Sequence, residues 1–202
     1  MNRSADTKPS LAGTLQAWRR SEALTQAQLA ERLGVSQQAI SCWERGIDVP
    51  GPRRLGLIRS LIEQANDIAV EKACIRDQSS IRALMDPDGV RILQCSAGFM
   101  KLWPDFSQMA GLPLEERLVG EAAELHHQAE TRRDILAGDI AMVSGVSLRH
   151  FDIALDEPLK HRWFIRFRRY GARMLGDMIL EPCAADASLG IERILRPDEV
   201  AA

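Results

Sequence analysis

The 202-residue chain lacks the features that define several large classes of protein. No segment approaches the roughly 18 consecutive apolar residues of a membrane-spanning helix, and the first residues contain no apolar signal-peptide core. We therefore expect a cytoplasmic protein with no membrane partner. The patterns Gly-x-Ser-x-Gly, His-Glu-x-x-His and the phosphate loop are also missing, so we expect no catalytic residue and no enzyme.

Closely spaced cysteines are missing as well. Cys42, Cys74, Cys95 and Cys183 are far apart and form no Cys-x-x-Cys pair. Such spacing in a cytosolic chain indicates reduced thiols. It also gives no reason to expect a metal site.

The charge is distributed unevenly along the chain, although the formal net charge is only -2. Residues 1–62 contain nine Lys and Arg against five Asp and Glu, a balance of +4, and the remainder carries -6. A small basic unit joined to a larger acidic one is typical of a polyanion-binding head on a separate body.

The first sixty residues contain four short helical patterns separated by turn signals. Thr25 has the position of an N-cap, and Gln28 completes a capping box. Gly34 is expected to end the second helix with positive φ. Ser36 would cap the third helix, and Pro52 suits the first turn of the fourth. Two helices joined by a tight glycine-containing turn predict a helix-turn-helix.

The stretch "LTQAQLAERLGVSQQAISCWERGIDVP" resembles the helix-turn-helix of the lambda-type phage repressors, Cro and the xenobiotic-response-element regulators. The resemblance rests on Thr-Gln opening the second helix, Gly-Val at the turn, Ser at the third N-cap and the closing Trp-Glu-x-Gly. It covers residues 11–64. It implies a head that binds double-stranded DNA.

The same resemblance implies which residues contact DNA. The N-terminal part of the third helix would face base edges in the major groove. Gln37 and Gln38 match base-reading positions, and a glutamine can pair bidentately with adenine. The full predicted DNA-binding set is Gln26, Ser36, Gln37, Gln38, Ser41, Cys42, Arg45 and Arg53, with Gln26 at a phosphate-contacting position. Without the resemblance, the two adjacent glutamines would indicate only a solvated helix face.

Two further residues have an implied structural role. The resemblance predicts an ion pair between Arg19 and Glu44 that joins the first helix to the end of the third. Trp43 is expected in the core, where it would not stack on bases.

A connecting helix is predicted from residue 61 to about residue 80, because this stretch contains no Gly or Pro. Leu61, Ile68 and Ile75 recur every seven residues. This stripe fits either a dimer seam or packing on one of the domains, and two heptads do not distinguish them. A homodimer is expected on other grounds, because one head grips only one half-site.

After residue 80 the pattern changes to strands. "IRALMDPDGVRILQCSAGF" predicts a hairpin, and helical pieces follow, including an amphipathic stretch over about 121–142. Strands are predicted at "VSLRHFDIAL", "HRWFIRFRRY" and "ARMLGDMILEP", and a short helix at 191–195. The expected fold class is therefore α+β, an all-α helix-turn-helix bundle followed by an antiparallel sheet with helices on one face.

The order strand–turn–strand, short helices and three long strands resembles a PAS domain, over residues 80–182. That resemblance implies a sensory or dimerising module with a small-molecule ligand or a protein as its partner. It does not indicate whether a cofactor is bound, so the cofactor is unknown. The candidate cavity lining is Phe99, Trp103, Phe151, Trp163, Ile165 and Met178, although a plain core is the favoured interpretation of these residues. The adjacent His126 and His127 are poorly placed to chelate one metal, whereas His150 and His161 lie near the ends of neighbouring strands.

The predicted organisation is a DNA-binding domain at 1–64, a connecting helix at 65–80, a PAS-like domain at 81–182 and a C-terminal tail at 183–202. The function it indicates is a dimeric, sequence-specific transcriptional regulator. The alternative is an antitoxin-like or adaptor protein whose C-terminal domain mainly binds another protein.

Overall fold

The computed structural model describes residues 10–152 and 159–199. They divide into two compact units between Asp67 and Ile68. We call the first unit the head and the second unit the sheet domain.

The head is built from four helices whose ends lie where the capping residues predict them. They are α1 (Leu11–Ser21), α2 (Gln26–Leu33), α3 (Gln37–Glu44) and the first part of α4 (Pro52–Arg76). The Thr25 hydroxyl accepts from the Gln28 amide at 3.2 Å, and the Thr25 amide donates to Gln28 Oε1 at 2.8 Å. Gly34 has φ of 61° at the end of α2, and the Ser36 hydroxyl caps α3. The predicted helix-turn-helix is confirmed.

A small apolar core holds these helices together. All four helices contribute, and Leu15, Leu29, Ile40 and Ile58 have no exposed surface. The other buried members are Trp18, Ala30, Leu33 and Trp43. Trp43 lies in the core as predicted, which leaves the opposite face of α3 exposed.

Helix α4 runs through 25 residues and contributes to both units. Leu61 packs on the core of the head. Ile68 and Ile75 are buried in the sheet domain against Leu84 and Leu175. The sequence left open whether this seven-residue stripe forms a dimer seam or packs on one of the domains. The structure shows that it packs within the chain. The helix also ends at Arg76, earlier than predicted.

The sheet domain contains a six-stranded, wholly antiparallel sheet in the order β2-β1-β5-β4-β3-β6. Its strands are β1 (Ile81–Asp86), β2 (Arg91–Cys95), β3 (Met142–Ser147), β4 (His161–Tyr170), β5 (Arg173–Pro182) and β6 (Gly190–Leu195). Helices α5 (Ala97–Leu102), α6 (Gly120–His127) and α7 (Ala129–Ala137) follow β2, with 3-10 turns at Pro104–Met109 and Glu115–Arg117. The α+β class and the PAS-like order of elements are confirmed.

The two faces of the sheet pack against different helices. Ala83 and Met85 belong to the main core with α5, α6 and α7. Leu84, between them, faces the other way and packs against the end of α4. Alternate strand residues point to opposite faces, so α4 covers part of the face that the other helices leave open.

The predicted hairpin between β1 and β2 is confirmed. Its turn is closed by the Asp86 carboxylate, which accepts from the Asp88 amide at 3.0 Å. Gly89 and Val90 have φ of 72° and 49°. Positive φ is easily adopted by glycine and is strained for a β-branched residue.

Three sequence predictions in this domain were wrong. The stretch 121–142 is not one helix, because extended backbone at Gln128 separates α6 from α7 and Gly138 ends α7 at φ of 90°. The strand predicted at "VSLRHFDIAL" begins earlier, at Met142, and leaves the sheet after Ser147. Residues 153–155 of that prediction lie outside the described residues.

The third wrong prediction concerns residues 191–195, which form strand β6 rather than a helix. Strand β6 pairs with β3, and Ile191 packs on the main core. Five residues gain little as an isolated helix, whereas the free edge of β3 offers backbone hydrogen-bond partners. The tail therefore completes the sheet.

Candidate nucleic-acid interface

The outer face of α3 is polar and accessible. Gln37 and Gln38 are exposed in its first turn, and Ser41 and Cys42 are half-buried one turn later. These positions are three or four residues apart, so they lie along one side of the helix. Because Ile40 and Trp43 fix the opposite side in the core, α3 presents this polar side to the solvent.

Arg45 extends the same side beyond the end of α3. Its Nε donates to the Ser41 carbonyl at 3.1 Å, and its Nη2 lies 3.8 Å from Cys42 Sγ. The guanidinium therefore folds back over the last turn of α3, close to two other members of the predicted set.

An ion pair in the head sets the position of α3. Arg19 Nε and Nη2 donate to Glu44 Oε1 and Oε2 at 2.6 and 3.0 Å. Only 12% of the Arg19 side chain and 1% of the Glu44 side chain are exposed. Arg19 Nη1 also donates to the Leu24 carbonyl at 2.7 Å. The predicted pair is confirmed, and its bidentate geometry constrains both direction and distance.

Gln26 joins this ion pair, which the sequence did not indicate. Its amide nitrogen donates to Glu44 Oε2 at 3.0 Å. Burial alone would raise the pKa of Glu44, but hydrogen bonds from Arg19 and Gln26 and the charge of Arg19 together lower it. The Gln26 side chain is thus held in place at the N-terminus of α2, where backbone amides favour an anion.

The two arginines at the start of α4 differ in their surroundings. Arg54 Nη2 donates to the Gly34 carbonyl at 3.0 Å, and so ties α4 to the turn before α3. Arg53 is exposed. The hydroxyl of the remaining predicted residue, Ser36, accepts from the Ala39 amide at 3.2 Å, and its proton remains available to donate.

The predicted cavity lining in the sheet domain is divided between two cavities. One has a volume of about 70 Å³ and includes Trp163 and Ile165. The other, of about 20 Å³, includes Phe99, Trp103, Phe151 and Met178. All six residues also pack in the main core. The same six side chains therefore belong both to the core and to the cavity walls.

The histidines fall into two pairs with different environments. His127 is exposed, and His126 Nε2 lies 3.5 Å from Glu115 Oε2. His150 and His161 meet inside the domain, with their Nε2 atoms 2.9 Å apart. Sequence alone placed this second pair near strand ends but did not predict the contact.

Two searches of the described residues give negative results. No group of three or more His, Cys, Asp and Glu in 10–152 and 159–199 is arranged to hold a metal ion. No helix within these ranges is long and apolar enough to cross a membrane. The four cysteines are free thiols, and burial raises the pKa of Cys95 to about 12.

Comparison with known proteins agrees with the architecture of the head. Residues 15–62 match the family model described as Helix-turn-helix. Over these residues the head is similar to helix-turn-helix domains, in agreement with its resemblance to Cro and the phage repressors. No curated protein matches the chain.

The chain is also similar to solved structures, including the following two. One is a PAS domain from a two-component sensor histidine kinase, with 11% identity and a TM-score of 0.39, covering 58% of this chain and 96% of that chain. Another is a variant of RsLOV, with 20% identity and a TM-score of 0.40, covering 61% of this chain and 70% of that chain.

Proposed function

We propose that the protein is a sequence-specific DNA-binding transcriptional regulator that acts as a dimer. The observation that carries this proposal is the polar outer face of α3, held in a fixed position by the ion pair of Arg19 and Glu44. A helix that has an exposed polar side and is held in a fixed position is suited to binding in the major groove.

The residues of the interface divide into two roles. Gln37 and Gln38 read bases, because a glutamine amide donates and accepts together. Ser41 and Cys42 extend the base contacts by one turn. Gln26, Ser36, Arg45 and Arg53 contact the phosphate backbone, which fixes register and supplies affinity without sequence information.

Dimerisation follows from the geometry of the DNA, since two heads are needed to grip two half-sites. The dimer contact does not use Leu61, Ile68 and Ile75, because these residues are packed within their own chain. In the head, Ile47 and Val49 in the loop between α3 and α4 are 65% and 69% exposed. This apolar loop supplies the contact between heads, and the sheet domain supplies the sensory or oligomerising function.

Selection of bound sites from a random duplex pool tests the proposal. The native chain should yield a palindromic motif with half-site centres about one helical turn apart. The Gln37→Ala/Gln38→Ala double variant should lose it. A matched control, Gln16→Ala/Gln64→Ala, removes two glutamines from α1 and α4 and should keep the motif.

The opposite result would be affinity without a motif, equal in all three proteins. That result would show that the head binds DNA through its positive charge without recognising sequence. The adaptor alternative would then be favoured, in which the sheet domain binds another protein.

A further inference from the structure

A hydrogen-bonded pair of imidazoles lies inside the sheet domain. His161 is 2% exposed and stands at the start of β4. Its Nε2 is 2.9 Å from Nε2 of His150, and the rings of Trp103 and Trp163 pack beside the pair, 6.0 Å from His161 and 5.5 Å from His150 between centroids.

Members of the pair lie in the walls of both cavities described above. His150 lines both, and His161 lines the smaller. The larger cavity is otherwise mainly apolar, with Val90, Leu125, Ile135 and Phe167 in its wall. The polar side chains in its wall are His126, Arg132 and His150. An apolar cavity with a few polar groups is the usual composition of a small-molecule site.

A backbone carbonyl sets the positions of the protons in the pair. His161 Nδ1 lies 2.5 Å from the Leu159 carbonyl oxygen. A carbonyl only accepts, so Nδ1 of His161 carries the proton and its Nε2 is an acceptor in the neutral ring. His150 must then donate through Nε2, which leaves its Nδ1 with a lone pair.

The charged groups at the cavity wall already have partners. Burial lowers the pKa of both histidines, that of His150 to about 3. Glu121 acts on His161 in the opposite direction but does not reverse the shift. At the cavity wall, Arg132 Nη2 lies 3.7 Å from Asp88 and 3.9 Å from Glu115, which also faces His126. A charged ligand would therefore displace an existing partner, whereas a neutral one would not.

We propose that the larger cavity binds a small neutral molecule with an apolar body and one hydroxyl group, which donates a hydrogen bond to Nδ1 of His150. The volume of about 70 Å³ is half of the roughly 150 Å³ that accommodates benzene in an engineered cavity. The ligand class is thus short-chain alcohols of about three or four heavy atoms. The proposal specifies the sensory role of this domain and rests on it.

The test uses 2-propanol and acetone as probes, because they have the same number of heavy atoms and only the alcohol donates. Long-range proton–nitrogen NMR of the full-length native chain reports the protonation of each imidazole nitrogen. We expect protonated Nδ1 in His161 and protonated Nε2 in His150. Titration with 2-propanol should shift Nδ1 of His150, with at least about tenfold weaker binding of acetone.

Variants sharpen the test. His150→Phe should remove the preference for the alcohol, and His127→Gln, an exposed neighbour of the cavity, should keep it. If His150→Phe does not fold, the titrations of the native chain with 2-propanol and acetone decide the outcome. Equal binding of both probes, no shift with 2-propanol, or the opposite tautomers would each overturn the proposal.

DNA affinity measured in the same samples separates this proposal from the proposed function. Motif-specific DNA binding with no ligand discrimination overturns the ligand site alone. Ligand discrimination without a DNA motif overturns the regulator and leaves the ligand site.

Discussion

Each unit of the protein contains a buried carboxylate bound by arginine, and the two arrangements differ in their redundancy. In the head, Glu44 is bound by one arginine, Arg19, and one neutral amide. In the sheet domain, Arg82 donates to both Asp177 oxygens at 2.6 and 2.8 Å, and Arg166 donates at 2.9 Å. Losing one arginine therefore leaves Glu44 without a cation but leaves Asp177 with one.

Burial of polar groups also differs between the units. In the described part of the head, the side chains proposed to contact DNA are exposed or half-buried, and the charged pair of Arg19 and Glu44 is largely buried. The sheet domain buries Asp177, Ser144, Ser147 and His161, and the histidine bonded to His161, His150, is half-buried. The Ser147 hydroxyl accepts from Trp163 Nε1 at 2.9 Å. The head thus has a proposed DNA-contact surface supported by one ion pair, whereas the sheet domain has polar side chains in its interior.

The largest expected effect is that of Arg19→Met. It leaves a buried carboxylate without a cation, which should cost about 3 kcal/mol of the free energy of unfolding of the head. Chemical denaturation followed by tryptophan fluorescence measures it. Arg20→Met, an exposed neighbour on α1 with the same loss of charge, should change the free energy by less than about 0.5 kcal/mol. Equal effects would show that the pair does not stabilise α3.

Arg82→Met should have a smaller effect on the sheet domain, about 2 kcal/mol, because Arg166 remains bonded to Asp177. Arg168→Met on the same strand as Arg166 is the exposed control. The double variant Arg82→Met/Arg166→Met should be more destabilised than the sum of the single changes. Simple additivity would contradict the redundancy that distinguishes this site from the head.

Gln38→Ala should weaken binding to the preferred DNA site by about 1.5 kcal/mol and relax base preference at one position. Folding of the head should be unaffected because the side chain is exposed. A base-substitution series with purified protein measures the change. Unchanged discrimination across the series would remove Gln38 from the base-reading set.

Acid should destabilise the sheet domain before the head. Both buried histidines have lowered pKa values, so the unfolded chain binds more protons below about pH 6.5. The two histidines contribute fully to the free energy of unfolding above that pH. This contribution is lost as the pH falls toward the pKa values of the histidines in the folded protein. From pH 7 to 5.5 the loss should be about 1 kcal/mol for His150, and the lowered pKa of His161 acts in the same direction.

The lowered pKa of Glu44 affects the stability of the head only at more acidic pH. A carboxylate contributes stability above its unfolded pKa, about 4.3, so the head should be unaffected between pH 7 and 5.5. Melting curves of the full-length chain at several pH values test the order. Replacing His127, which is exposed, by Gln should not change it.

The smallest expected effect is that of Arg53→Ala. Loss of one phosphate contact should weaken all DNA sequences alike and reduce the salt slope of binding by about one unit. Arg54→Ala is the informative comparison, because Arg54 is bonded to the Gly34 carbonyl and should alter stability more than the slope. An unchanged slope in Arg53→Ala would place that side chain away from the DNA backbone.

Local signals in the sequence predicted the head well. The caps at Thr25 and Ser36 and the positive φ at Gly34 depend on neighbouring residues only, and the structure has all three. The exposed side of α3 follows from the helical period. The contact of Gln26 with Glu44 was missed, because it joins residues 18 positions apart whose side chains meet only after the helices pack.

The sheet domain was predicted less well, because its structure depends on pairing between distant segments. Residues 191–195 have no clear strand pattern of their own, and they form β6 because β3 offers a free edge. The break at Gln128 similarly interrupts an amphipathic pattern that reads as continuous. Alternation in β4 was correct, since Trp163 and Phe167 face the core and the intervening Arg166 is exposed.

The sequence by itself determined the four helices of the head, their caps, and the side of α3 that faces solvent. These features depend on contacts within a turn or two of the chain, which residue order specifies directly. Tertiary structure alone brought His150 to His161 and packed the seven-residue stripe of α4 within its own chain. Such contacts form only when the strands and helices have packed, because the partners are set by the fold rather than by their neighbours in sequence.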